Sequence, residues 1–185
     1  MIGYAFCGSF CTVARSLSTL ERLASKHDIL PVYSGIFQSA DTRFGRADDI
    51  IKRIEQICKR AGIRTIPEAE RLGPSLKLEA MIIAPCTGNT LAKLACGITD
   101  TSVTMAAKAH LRNDRPLIIA LATNDALSAN LRNIGTLLPR KNVYFVPFGQ
   151  DDPSAKPASL VCDFEKTEQT LELALKGVQL QPLLI

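Results

Sequence analysis

Short apolar runs alternate along the chain with segments whose apolar residues recur at helical spacing. The runs predict five buried strands and a further short one, at residues 2–7, 29–33, 80–84, 116–122, 142–146 and 64–66. Helices are predicted at residues 12–26, 47–61, 101–113, 126–138 and 164–176, and one that opens in residues 85–90 and runs to residue 96. Because apolar strands that alternate with helices are typical of a parallel sheet covered on both faces, the pattern predicts an α/β fold. We expect a Rossmann-like, doubly wound parallel sheet in three α/β/α layers.

Length and charge limit the function classes. The 185 residues predict one domain, 1–185, and 46% hydrophobic against 22% charged residues indicates a globular chain. The formal net charge of +4 is spread along the sequence without a basic stripe, and aromatic residues make up 5% with no Trp. Nucleic-acid binding is therefore not expected, since it relies on concentrated cations and stacking platforms.

Six cysteines raise the question of disulfides or zinc. None of them is spaced C-x-x-C, and no His lies nearby at ligand spacing, so no metal site is expected. The first residues lack the basic region and cleavage site of a signal peptide, and no apolar run approaches the roughly 20 residues of a membrane span. The sequence predicts a cytoplasmic protein with reduced cysteines and no membrane association.

The predicted carboxyl ends of the strands carry the candidate chemistry. Ligands of doubly wound sheets bind at this edge, and here it is rich in Gly, hydroxyl and amide groups at Gly8, Ser9, Ser34, residues 85–90 and residues 123–125. Such groups beside a helix N-terminus suit a phosphate. The first loop does not match G-x-G-x-x-G, and strand two ends in Ser34 where an acidic residue would hold an adenosine ribose. The pattern argues against NAD and leaves a mononucleotide with one phosphate.

Some side chains keep two interpretations. Cys86 has the position of a nucleophile but no evident base, so a small pocket-lining residue is the competing interpretation. Arg43 offers a planar guanidinium to a carboxylate, or is a solvated loop charge. Residues 123–125, Thr-Asn-Asp, either bind the polar edge of a ligand or form a turn and cap the next helix. No catalytic residue is assigned.

Residues 84–90, Ala-Pro-Cys-Thr-Gly-Asn-Thr, resemble the Pro-Ala-Ser-Ala-Asn-Thr signature of the flavoprotein superfamily, which includes homo-oligomeric flavin-containing cysteine decarboxylases. Further motifs resemble the family of dipicolinate synthase B subunits within it, and together they span nearly the whole chain. These motifs are residues 38–45, 105–109, 111–113, 123–127, 142–151, 174–177 and 179–182.

The resemblance implies an activity and partners. Dipicolinate synthase oxidises a dihydropyridine dicarboxylate of the lysine pathway to pyridine-2,6-dicarboxylate in the mother cell of a sporulating bacterium. NAD(P) is expected on a partner, the A subunit, and FMN on this chain, which is expected to self-associate. By the same resemblance Gly8 and Ser9 meet the flavin phosphate, with Ser34 beside the phosphate or the ribityl chain. The ring and ribityl chain are expected against Pro85, Cys86, Thr87, Gly88, Asn89 and Thr90. Thr123 is also expected at the cofactor, and with Asn124 it resembles a Pro-Ala-Met-Asn motif at which the decarboxylases hold substrate.

Arg43 and Asn124 are predicted to hold the dicarboxylate, one from each of two loops. Two alternatives stay open: a flavin-dependent decarboxylase or prenyltransferase, and a non-catalytic subunit that supports the nicotinamide-binding partner. The chain departs from the cysteine decarboxylases in reading Thr87-Gly88 for Ser-Ala and Thr123 for Met. It also lacks the His of the phosphopantothenoylcysteine enzymes, which argues against cysteine decarboxylation.

Overall fold

A seven-stranded sheet forms the centre of the computed structural model, which describes residues 1–185. Its strands are β1 (Ile2–Phe6), β2 (Ile29–Tyr33), β3 (Ala80–Cys86), β4 (Leu117–Thr123), β5 (Val143–Phe145), β6 (Phe148–Gly149) and β7 (Leu160–Cys162). The order is β2-β1-β3-β4-β7-β6, and β5 pairs with the first half of β4. Strands β1 to β5 pair in parallel, whereas β6 and β7 are antiparallel to their neighbours. The predicted parallel sheet is confirmed, with an antiparallel addition at one edge.

Helices cover both faces of this sheet. They are α1 (Val13–Ala24), α2 (Gly35–Ser39), α3 (Ala47–Cys58), α4 (Ile66–Glu70), α5 (Gly88–Cys96), α6 (Ser102–Leu111), α7 (Leu131–Leu137) and α8 (Thr167–Ala174), with short 3₁₀ helices at Phe10–Thr12 and Phe164–Lys166. Helix α1 packs between α3 and α8, while α6 packs against α4 and α5, and α5 against α7. This is the three-layer arrangement expected from the sequence.

The core is built from the strands and the inward faces of these helices. Every residue of β1, β2 and β3 is buried. Five of the ten Phe and Tyr residues form one aromatic cluster beside the carboxyl ends of β1 and β2, namely Tyr4, Phe6, Phe10, Tyr33 and Phe37. The cluster fixes the position of the loop that follows β1, since Phe10 belongs to that loop.

The predicted strand at residues 64–66 is wrong. Ile63 makes a single bridge to Val32, and the chain then turns into α4. The Thr65 hydroxyl accepts from the Glu68 amide while the Glu68 carboxylate accepts from the Thr65 amide, a capping box that begins a helix. The chain is therefore helical at Ile66–Glu70, where the sequence predicted no helix.

Other boundaries also differ. The helix predicted at 126–138 is restricted to α7, because residues 124–130 form turns around Asp125. Strands β6 and β7, which follow β5, and the short helix α2 were not predicted. No helix has the length and apolar character needed to cross a membrane.

Candidate functional site

A cavity of about 660 Å³ opens at the carboxyl edge of the sheet. Four segments line it: the loop after β1 with the start of α1, the start of α5, the end of β4 with its following turn, and residues of the segment 151–161. The first three segments follow parallel strands whose carboxyl ends meet at one edge. The volume is within the range of small-molecule sites, roughly 300–1,000 Å³.

Seven of the twelve predicted site residues line this cavity: Gly8, Ser9, Thr87, Gly88, Asn89, Thr123 and Asn124. They come from three separate loops that the sheet brings together. The remaining five, Ser34, Pro85, Cys86, Thr90 and Arg43, do not line it.

Four of those five are buried beside the cavity. The Ser34 hydroxyl caps α2 by accepting from the Phe37 amide at 3.4 Å. Thr90 donates its hydroxyl proton to the Cys7 sulfur at 3.3 Å and accepts from the Thr87 hydroxyl at 3.1 Å. Pro85 and Cys86 end β3 inside the core. These residues shape the loops, and their side chains do not line the cavity.

The interpretation of Cys86 as a nucleophile is not supported by its surroundings. Its thiol is fully buried, and burial holds its pKa well above the ordinary value. The thiol donates to the Thr87 carbonyl at 3.7 Å. Because the thiolate is the reactive form, Cys86 is a small core residue at the base of the loop.

Arg43 lies on an exposed turn outside the cavity. The turn is closed by reciprocal backbone hydrogen bonds between Thr42 and Gly45, and the Arg43 guanidinium carbon lies 4.8 Å from the centre of the Phe44 ring. Asn124 lines the cavity and Arg43 does not, so the two loops do not converge on one ligand within this chain. The predicted role of Arg43 in substrate binding stays a prediction.

A polar network fixes the turn after β4. The Asp125 carboxylate accepts from the Thr123 hydroxyl at 2.5 Å and from the Asn130 amide at 2.8 Å, and Asn133 donates to Asn130 at 2.9 Å. The network packs directly against Gly88, where an added Cβ would lie 2.5 to 2.7 Å from three of its atoms. The turn after β4 is thus held against the first turn of α5.

Free backbone amides point to an anionic ligand group. The amides of Gly8 and Asn124 donate no hydrogen bond within the chain. Gly88 and Asn89 occupy the first turn of α5, where amides have no acceptor inside the helix. Donors of this kind beside the Ser9 hydroxyl suit a phosphate or carboxylate.

Four charged side chains line the cavity, Arg15, Asp125, Asp151 and Lys156. Sequence reasoning considered only Asp125, as part of the turn at residues 123–125, and assigned no role to the other three. Lys156 pairs with Asp151 at 3.0 Å, and Asp125 is held by neutral donors. Arg15 makes no ion pair or side-chain hydrogen bond, so it is the free cation of the cavity. Arg15 lies in the first turn of α1, directly after the loop that follows β1, and no sequence pattern distinguishes it from other helix-surface cations. No sequence signal brought residues 151–161 to this edge.

No cluster of three or more His, Cys, Asp or Glu side chains is arranged to hold a metal ion.

A model of the family described as Flavoprotein matches residues 7–173. The B subunit of dipicolinate synthase from Bacillus subtilis is 44% identical over 185 residues, which are 100% of this chain and 92% of the relative. The crystal structure of the dipicolinate synthase B subunit from Bacillus halodurans superposes with a TM-score of 0.91 at 43% identity, covering 100% of this chain and 95% of that one.

More distant likenesses support the same fold. The FMN-dependent cysteine decarboxylase SpaF has a TM-score of 0.68 at 22% identity, over 95% of this chain and 94% of its own. Flavin prenyltransferase UbiX of Thermoplasma acidophilum is 34% identical over 73 residues, 40% of each chain. The chain therefore belongs to the flavoprotein family and, within it, to the family of dipicolinate synthase B subunits.

Proposed function

We propose that the chain acts as the B subunit of a dipicolinate synthase, in the oxidation of a dihydropyridine dicarboxylate to pyridine-2,6-dicarboxylate. The identity of 44% along the whole chain to a relative of that name carries the proposal. The oxidation removes a hydride and a proton, and a nicotinamide is the proposed hydride acceptor. Because the loop after β1 lacks the dinucleotide pattern, we place NAD(P) on a partner, the A subunit.

The cavity fits FMN as the cofactor of this chain. Its volume suits a ligand of that size, and the unpartnered Gly8 amide beside the Ser9 hydroxyl suits the single phosphate. The first turn of α5 and Thr123 would lie against the rest of the molecule. When bound, a flavin supplies one- and two-electron transfer. FMN-dependent relatives of the same fold support this assignment.

For the dicarboxylate, position favours Arg15 over Arg43. Arg15 lines the cavity and has no carboxylate partner, whereas Arg43 lies outside it. A guanidinium binds a carboxylate through two parallel hydrogen bonds. Asn124, whose backbone amide is unpartnered, is the proposed second anchor from the opposite loop.

Calorimetry with pyridine-2,6-dicarboxylate separates the two arginines. We expect Arg15→Ala to weaken binding about 10- to 100-fold, because a hydrogen bond to a charged group is worth roughly 1.5–3 kcal/mol. Arg43→Ala, which removes an equally charged but distant side chain, is the matched control and is expected to bind as the unaltered chain does. The reverse result would contradict the assignment to Arg15 and support the sequence prediction for Arg43.

Reconstitution tests the activity. Nicotinamide reduction is followed with this chain alone, with the isolated nicotinamide-binding partner and with both, in the presence of the dihydropyridine substrate. The proposal expects full activity from the mixture alone and a loss with Arg15→Ala. A mixture no faster than the isolated partner would contradict it. Pocket variants that leave the mixture's rate unchanged would favour a supporting, non-catalytic role.

A second candidate, flavin-dependent decarboxylation or prenyl transfer, has the support of the UbiX match over residues equal to 40% of the chain. A bound flavin with no response to the nicotinamide-binding partner would favour it. We further propose self-association, since oligomeric relatives share the fold, and a role in the mother cell of a sporulating bacterium.

A further inference from the structure

A second groove, of about 340 Å³, lies between the end of α5 and one face of α6. Its aliphatic residues are Leu94, Ile98 and Leu111, and its polar ones include Thr99 and Thr104. The groove shares no residue with the cavity at the carboxyl edge of the sheet. A ligand in the groove would therefore occupy a site separate from the one proposed to bind FMN and the dicarboxylate.

Three cations converge on this groove from different parts of the chain. Lys108 lies in the last turn of α6, Arg112 follows that helix, and Arg140 follows α7. No Asp or Glu lines the groove, and none of the three cations takes part in an ion pair. Like charges held together repel each other, so an anion in the groove is stabilised by all three.

Helix ends account for only part of this charge. Cations near helix C-termini interact with the unpaired carbonyls, and Arg140 does donate to the Leu94 carbonyl at 3.4 Å. Lys108 and Arg112 donate no side-chain hydrogen bond, so their donors face the groove or solvent unused. Two strong donors beside an aliphatic wall suit a ligand with an anionic group and an apolar body.

The volume of the groove, about 340 Å³, lies within the range of small-molecule sites, roughly 300–1,000 Å³. We propose that the groove is a binding site for a small organic dianion, carrying carboxylate or phosphate groups on an apolar body. Lys108, Arg112 and Arg140 hold the charge, while Leu94 and Ile98 contact the apolar part.

The proposal is tested on the full chain by amide NMR titration with two probes of this class, pyridine-2,6-dicarboxylate and phenyl phosphate. We expect saturable shifts at Gly97, Ile98 and Thr99 for at least one probe, and the better probe identifies carboxylate or phosphate as the group bound. Raising the salt concentration is expected to weaken this binding, because the cations are exposed.

Two double variants with the same change in net charge complete the test. Arg112→Gln with Arg140→Gln is expected to weaken groove binding at least about tenfold, while Arg71→Gln with Arg132→Gln, both exposed and outside the groove, is expected to leave it unchanged. The proposal is overturned if neither probe shifts the groove amides, or if both double variants bind alike. It is also overturned if the first double variant instead abolishes association with the nicotinamide-binding partner while neither probe binds. Shifts confined to the cavity residues would contradict the groove and leave the proposed function intact.

Discussion

The two walls of the candidate cavity are supported by different kinds of side chain, aromatic on one side and polar on the other. On the β1 side, Phe10 stacks on Phe37 with ring centres 6.2 Å apart, and Phe37 lies in turn on Phe6 and Tyr33. On the β4 side, Asp125 is held by hydroxyl and amide groups. The aromatic wall removes large apolar area from water, whereas the polar wall gains little net free energy from its hydrogen bonds. We expect the aromatic cluster behind the first wall to govern stability. Ligand binding is expected to depend on the polar network of the second wall together with Gly8, Ser9 and Arg15 on the first.

The largest effect on stability is expected from Phe37→Ala. The Phe37 side chain is 1% exposed and contacts three rings, so its removal leaves a cavity and is expected to cost about 3–5 kcal/mol of the free energy of unfolding. Urea denaturation followed by circular dichroism, at fixed protein concentration, measures this. Phe44→Ala is the control. Because Phe44 is 47% exposed, removal of its ring is expected to lower the free energy of unfolding by less than about 1 kcal/mol. Equal losses in both variants would contradict the assigned role of the aromatic wall.

Gly88→Ala tests the polar wall. The new Cβ would lie 2.5 Å from the Asn130 side-chain amide nitrogen and 2.6 Å from the Thr123 hydroxyl. The network must therefore shift, which is expected to lower the free energy of unfolding by about 1–3 kcal/mol. We expect FMN and dicarboxylate affinity to fall by far more than stability does. The same substitution at Gly135, an exposed position in α7 with open space around it, is expected to stabilise the helix by about 0.5–1 kcal/mol. Unchanged ligand affinity in Gly88→Ala would show that the network does not shape the site.

The contrast between the walls also explains what sequence patterns can predict. The parallel sheet, the cavity edge and seven lining residues follow from apolar runs and from the loops after them, because each such signal lies within one short segment. Strand β7 was not predicted, since three residues carry little periodicity. It pairs antiparallel with the end of β4 and thereby brings Lys156 and Asp151 to the cavity.

Arg43 and Arg15 show most clearly what sequence patterns cannot predict. Both are loop or helix-surface cations in the sequence, and only the packing of the folded chain decides which of them reaches the ligand edge. The cavity joins segments more than 100 residues apart, from the loop after β1 to residues 151–161, and contacts at that separation leave no local pattern. The capping box at Thr65 and Glu68 is the opposite case, because its spacing was visible and would have predicted α4.

A smaller effect on stability is expected from the titration of His110, which lies inside the apolar part of the molecule. Its side chain is fully buried, Nε2 lies 2.9 Å from the Pro116 carbonyl oxygen, and Nδ1 has no partner. Burial lowers the pKa of His110 below its ordinary value, so the unfolded chain takes up the proton first as the pH falls. The free energy of unfolding should therefore decline as the pH falls below about 6.5, by at most about 1.4 kcal/mol per pH unit for this one proton. His110→Gln is expected to remove this decline, and an unaltered pH profile in that variant would contradict it.

The smallest effect on stability, and one of opposite sign on binding, is expected from Asp151→Asn. The Asp151–Lys156 pair is partly exposed, so its loss should cost below about 1 kcal/mol. The Ser159 hydroxyl and Lys156 lower the pKa of Asp151. The carboxylate is therefore charged at neutral pH and balances the positive charge of Lys156. Without that charge Lys156 becomes a second free cation beside Arg15, and dicarboxylate affinity should rise by a few fold, against the fall expected for Arg15→Ala. Calorimetry on Asp151→Asn and on Asp152→Asn, a neighbouring acidic residue outside the cavity, measures the difference, and weaker binding in Asp151→Asn would show that the ion pair itself contacts the ligand.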